Sequence, residues 1–236
     1  MRSLWDNKYF FDNFKFQPIT AAVGGGAATG VAGDNNVLYT QLNAWQWNVI
    51  GTQTILAPKN DSYGLNLVQD LTAGDGIELC LGQDANNPAT YIVGTDNAIS
   101  FEMEFKVQDV SGCNPLIIGL RKVQAFDATL ANYTDFVSIG IVGTAAKFQT
   151  QTQIATGGVI LTDTTQVASD GVAFRLKINV SSSGVVTYQI NNAAPTVVAA
   201  YTFANGLQIM PFIRFVQAAD ITTSASTDYF SLGTQS

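Results

Sequence analysis

Two glutamates carry the most reactive-looking pattern in this 236-residue chain. Glu102 and Glu104 alternate with Phe101, Met103 and Phe105, so a strand here would place both carboxylates on one face with Cα atoms ~7 Å apart. Paired carboxylates at such a separation can hydrolyse a glycosidic bond, one as nucleophile or base and the other as acid. Lys106 then breaks the acidic run. Glu, Glu and Lys opposite Phe, Met and Phe is also what an ordinary solvated strand face looks like, and we expect no catalytic residue. The chain contains no histidine, which removes Ser-His-Asp and Cys-His nucleophiles, His-based metal sites and the commonest general base at neutral pH. Any enzyme here would have to run on carboxylates.

Other candidate sites are weaker. Gly25 and Gly30 have the gap of a phosphate-cradling loop, but Val31 and Ala32 stand where that motif needs Lys and Ser or Thr. Asp34, Asn35 and Asn36 form one oxygen-rich cluster and Asp84, Asn86 and Asn87 another, of the kind that can bind calcium. Asx-rich turns are common without a metal, so no metal ligand and no cofactor are assigned. Tyr63, Tyr91 and Tyr133 lie near turn signals, where an exposed ring could stack on a sugar and a buried one would merely pack. Cys80 and Cys113 sit in or beside apolar segments and read as buried free thiols rather than a disulfide.

The N-terminus is different in kind. Trp5, Tyr9, Phe10, Phe11, Phe14 and Phe16 crowd residues 1–18, and residues 21–36 are Gly- and Ala-rich, reading as a mobile connector. The aromatics fit either an edge strand on the chain's own domain or an arm that binds a partner. These six are the expected partner-binding residues.

The elements that must position all these groups are strands. Phe174, Leu176, Ile178 and Val180 alternate with Arg175, Lys177 and Asn179; after Ser181 to Gly184, Val186, Tyr188 and Ile190 resume the period of two. That is an antiparallel hairpin with a four-residue connection. A third strand is expected around Thr196 to Val198. Apolar or alternating segments recur at intervals of about 8–12 residues, with no sustained helical periodicity, which predicts an all-β sandwich with under about 10% helix. We expect two parts, an arm and linker over residues 1–36 and a sandwich over residues 37–236. Charged residues make up only 12% of the chain, against a typical ~25%, so Asn, Gln, Thr and Ser must carry its surface. The net charge of −7, with no basic cluster, argues against nucleic acid and anionic membrane as partners. Without a signal-like apolar run, the chain is expected to start near Met1, in cytoplasm.

The order of segments, FEMEFKV, PLIIGLRK, DFVSIGI with KFQTQT, VAFRLKINVSSSGVVTYQINN, LQIMPFIRF and TDYFSLG, resembles the concanavalin A-like lectin/glucanase jelly roll, in a form similar to laminin-G-like modules. Its closing strand resembles that family's in carrying Asp228 and Tyr229. FFDNF, and Trp45 and Trp47 ahead of GLNL, are similar to tailed-phage virion proteins of this fold. The likeness implies an all-β, two-sheet antiparallel jelly roll. The family's retaining hydrolases carry Glu-x-Asp-x-Glu on one strand; here Glu102 and Glu104 lack the third acid. The function expected is a non-enzymatic virion protein, a head decoration (cement) protein assembled in the host cytoplasm. It would bind the major capsid protein or another virion protein through its arm and form a dimer or trimer. A carbohydrate- or receptor-binding tail module, with a glycan as ligand, is the alternative; a glycoside hydrolase ranks third.

Overall fold

Alternation puts Phe101, Met103, Phe105 and Val107 on one side of a strand and Phe174, Leu176, Ile178 and Val180 on one side of its neighbour; all eight are buried in the same core. Fourteen other strands pair around this seed and the hairpin strand beside it, every pair antiparallel. The computed structural model describes residues 9–12, 36–39, 44–51, 59–60, 65–66, 72–83, 87–88, 90–143, 146–155, 157–218 and 225–234. In chain order the strands begin with β1 (Tyr9–Asp12), β2 (Asn36–Tyr39), β3 (Ala44–Ile50), β4 (Lys59–Asn60), β5 (Leu65–Asn66) and β6 (Gly76–Gln83). They continue with β7 (Asn87–Pro88), β8 (Tyr91–Ile92), β9 (Ile99–Val107), β10 (Cys113–Lys122), β11 (Phe136–Ile141) and β12 (Lys147–Gln153). The last five are β13 (Ile160–Val167), β14 (Ala173–Val180), β15 (Val186–Ile190), β16 (Gln208–Gln217) and β17 (Ala225–Thr234).

Sheet A runs β15-β14-β9-β17-β5-β4, with β1 also on β17; sheet B runs β13-β12-β11-β10-β16-β6-β3-β2, with β7 on β6 and β8 on β16. The sheets stack with β14 over β11 and β9 over β10. Phe174 of sheet A meets Phe148 of sheet B edge-on at 4.9 Å, as expected of interdigitating inner faces. The only helical turns among the described residues are the short 3-10 turns Val110–Gly112 and Leu130–Asn132. The expected jelly-roll sandwich is therefore the fold, and Cys80 and Cys113 are buried free thiols.

The hairpin forms as expected. Gly184, at φ +85, closes the turn by donating its N–H to the Ser181 carbonyl, a conformation glycine adopts without a Cβ penalty. The expected third strand around Thr196 to Val198 does not form. Asn191 and Asn192 both turn at positive φ and Pro195 has no N–H to give a ladder. The chain makes bridges only at the two ends of this excursion, Ala193 to Ile190 on β15 and Thr202 to Val185 just before it. β13 reaches farther than apolar content suggests, through Thr162 to Gln166, because an edge strand needs only one neighbour and tolerates polar residues.

A second departure lies in sheet B. Alternation in Phe136–Ile141 and Phe212–Val216 suggests one buried and one wet face, yet both faces are buried there. The connection between β10 and β11 folds over the outer side, and its Tyr133 joins Cys80, Ile117, Phe136, Met210 and Phe212 of the sheet in a second apolar cluster. Gly119 makes room: a Cβ there would collide with the Phe212 ring.

At the N-terminus, β1 pairs with the closing strand, Phe10 opposite Leu232 and Phe11 opposite Ser231. Tyr9, Phe10 and Phe11 thus join sheet A through their backbone. Trp5, Phe14 and Phe16, the connector over residues 21–35, Asp34, Asn35, Asp84, Asn86 and Tyr63 lie outside the described residues.

Candidate functional site

The outer face of sheet A holds the carboxylates singled out in the sequence. β9 and β14 lie side by side with Glu104 opposite Arg175 and Glu102 opposite Lys177. Arg175 grips one oxygen of Glu104 with Nη2 at 2.9 Å and Nε at 3.3 Å, and its Nη1 reaches Glu102 at 3.3 Å. Lys177 Nζ approaches the other Glu102 oxygen at 3.4 Å. Opposite charges across adjacent strands stabilise a sheet modestly. A retaining hydrolase needs one carboxylate free to attack an anomeric carbon and one free to pass a proton. Here both are held by cations of the neighbouring strand, an arrangement suited to joining strands.

The outer face of sheet B holds a constellation that the sequence reading missed. Glu78 on β6 lies directly opposite Arg214 on β16, and its side chain is fully buried. Arg214 Nη1 binds Glu78 Oε2 at 3.1 Å, Arg121 Nη2 reaches Oε1 at 3.3 Å, and Tyr133 Oη donates to Oε1 at 2.7 Å. The two guanidinium groups outnumber the one carboxylate, and backbone carbonyls of the covering connection take up further donors of each. Arg121 Nη1 donates to the Gln124 carbonyl at 2.8 Å, and Arg214 donates to the carbonyls of Asp127 and Ala128. Arg121 also stacks on the Tyr133 ring, 4.4 Å from its centroid, a favourable cation–π geometry. Burial, and secondly the Glu78 charge, push the Tyr133 phenol well above the ordinary tyrosine range.

Chemically this is a latch. Every oxygen of Glu78 is occupied, the phenol is held neutral, and the 123–135 connection is fastened over the sheet. Gln153 adds to it by donating to the carbonyls of Ala131 and Tyr133. A signal was present in the sequence: Glu78, Arg121 and Arg214 each interrupt an apolar run (GIELCL, LIIGLRK, MPFIRFV), and charges in such runs are buried only when paired.

Tyr91 and Tyr133, considered as sugar-stacking rings, are both buried. Tyr91, Asp96, Asn97 and Ser181 line a hollow at one end of the sandwich that has room for about one water molecule. Among the described residues no three metal-ligating side chains cluster.

Comparison with solved structures agrees with the architecture. The carbohydrate recognition domain of Emp47p superposes with a TM-score of 0.54 at 12% identity, covering 80% of this chain and 89% of that one. The GlcNAcα1-4Gal-releasing endo-β-galactosidase of Clostridium perfringens gives 0.53 at 9% identity, over 98% of this chain and 64% of the enzyme. The exoplasmic/lumenal domain of VIP36, in its Ca2+/Man3GlcNAc-bound form, gives 0.50 at 11%, over 80% and 84%. No family model and no curated protein sequence matches the chain. The fold is the concanavalin A-like lectin/glucanase jelly roll. Its solved examples include both carbohydrate-binding domains and an enzyme.

Proposed function

We infer that this chain is a non-catalytic structural protein of a phage virion, a head decoration protein held on the outside of the capsid through its N-terminal segment. The observation that carries the non-catalytic part of this reading is the outer strip of sheet A, where Arg175 and Lys177 occupy the two carboxylates best spaced for hydrolysis. The weakly charged, Asn-, Gln- and Thr-rich composition and the likeness of FFDNF to tailed-phage virion proteins support it further. β1 tethers the segment to β17, and Trp5, Phe14 and Phe16 on either side of the tether supply the contacts to the shell.

The test is made on particles. Virions of the phage that encodes the chain should contain it at a copy number near that of the major capsid protein. Protein with Trp5, Phe14 and Phe16 all changed to Ser should fold but no longer bind to stripped particles. Absence from virions ends the proposal, and so does undiminished binding of the triple variant.

The carbohydrate- or receptor-binding tail reading keeps one support, the likeness to the recognition domains of Emp47p and VIP36. It predicts low copy number in virions and a glycan that binds the isolated protein.

A further inference from the structure

All eight large apolar side chains that are exposed among the described residues fall between positions 154 and 198. The topology brings six of them together. β13 is the edge of sheet B and β15 the edge of sheet A, and because β14 stacks over β11 both edges lie on the same flank. Ile160, Leu161 and Val167 lie on β13, 51–62% exposed; Val185 immediately precedes β15, and Val197 and Val198 ride on the excursion beside it, 41–47% exposed. Tyr201 Oη donates to the Gln153 carbonyl across this flank, tying the excursion to the end of β12.

The flank is also electrically neutral. Residues 154–200 contain four charged side chains, Asp163, Asp170, Arg175 and Lys177, which sum to zero, so the rest of the chain carries the whole −7. Each of the four is engaged: Asp163 with Lys147, Asp170 with the Val110 N–H, and Arg175 and Lys177 with the glutamates of β9.

We propose that this flank is a self-association surface, on which a second copy of the chain packs about a two-fold axis. The six partly exposed aliphatic side chains placed here, at roughly 60–100 Å² each, offer about 360–600 Å² per copy. A two-fold contact would remove about twice that, about 700–1,200 Å², which reaches the lower end of the ~1,200–2,000 Å² of standard stable interfaces, and each patch is as large as the largest that monomers usually leave exposed. A partner of identical sequence meets no opposing charge here, whereas contact through the acidic remainder sets like against like. The contact is made by side chains rather than by a continued sheet. Thr165, at φ +68, and the register shift between Lys147 and Gln149 put an irregularity in β13, and Asp163 Oδ1 accepts the Thr165 N–H at 2.7 Å, which blunts the strand for edge pairing.

Sedimentation velocity over a wide concentration range, with circular dichroism to confirm folding, tests this. Wild type should be dimeric, and Leu161→Asp with Val198→Asp, both at exposed positions, should raise the dimer dissociation constant at least about 100-fold with an unchanged spectrum. The Trp5, Phe14 and Phe16 to Ser variant should remain dimeric, which separates this surface from the arm. A monomeric wild type overturns the proposal and leaves the flank to a different partner. A dimer that survives Leu161→Asp with Val198→Asp, or one lost only in the arm variant, overturns it as well.

Discussion

The outer faces of the two sheets solve the same electrostatic problem in opposite ways. On sheet A, two glutamates and two cations face one another across β9 and β14 with water still in reach of most of them, the side chains of Arg175, Lys177 and Glu104 being 35%, 26% and 25% exposed and that of Glu102 11%. On sheet B, Glu78, Arg121 and Arg214 are almost entirely removed from water. Partly exposed pairs contribute little because solvent already screens them. Buried ones are costly to assemble and costlier to break, since removing one partner leaves a bare charge in a dry place. The contrast predicts that losing the sheet A strip costs the fold far less than losing the sheet B latch.

The sharpest way to break that contrast is Glu78→Gln. The two guanidinium groups would keep their carbonyl partners but lose the carboxylate that both share. We expect a loss of about 3–5 kcal/mol in unfolding free energy, read by urea denaturation, with the 123–135 connection becoming sensitive to protease before the rest of the sandwich. A loss below about 1 kcal/mol would mean that the latch is not closed in solution.

Glu102→Gln with Glu104→Gln probes the other face; Glu104→Gln, at a 25% exposed side chain, should cost about 1 kcal/mol or less, and Glu102→Gln, at an 11% exposed one, somewhat more but less than Glu78→Gln. Added salt should shrink that cost while leaving the Glu78→Gln cost nearly intact, because screening reaches exposed pairs far more than buried ones. Neither wild type nor the double variant should hydrolyse polysaccharides. Hydrolysis by wild type that disappears in the double variant would overturn the non-catalytic reading.

The strip was half legible in the sequence and the latch hardly at all. Period-two alternation shows that Glu102 and Glu104 share the solvent side, and the same rule predicts Arg175 and Lys177 on the outer side of their strand. What alternation cannot supply is which strands become neighbours. Arg175 and Glu104 are 71 residues apart, and only the closing of the sheet puts them together. For the latch the difficulty is deeper: alternation treats a strand as having one dry face, and β11 and β16 have two. The covering 123–135 connection has no periodicity of its own. Apart from Tyr133, it is held largely by side chains of the sheet reaching its backbone carbonyls, an interaction that leaves little trace in the connection's own sequence. The missing strand near Val197 is a third case, where apolar content suggested pairing but Asn191, Asn192 and Pro195 steer the chain off the sheet.

The smallest effect comes from a third ion pair, more exposed than either of the others. Lys147 Nζ meets Asp163 Oδ2 at 2.5 Å at the β12–β13 edge, with the two side chains 43% and 39% exposed. The hydrogen bond from Lys147, and after it the Thr165 N–H, hold the Asp163 carboxyl below the ordinary carboxylate range. A carboxyl whose folded value is depressed adds stability at pH above its unfolded value, and that stability is lost as pH falls through the folded value. The contribution is therefore present at neutral pH and disappears in acid. Lys147→Met should move the Asp163 titration upward, followed by carboxyl-carbon NMR, but not all the way to the ordinary value, because the Thr165 N–H stays in place. The melting temperature should fall slightly at neutral pH and not at all below the folded value of Asp163. If the titration does not move, the pair is not formed in solution, and exposure alone would then be enough to dissolve a bridge that is short in the structure.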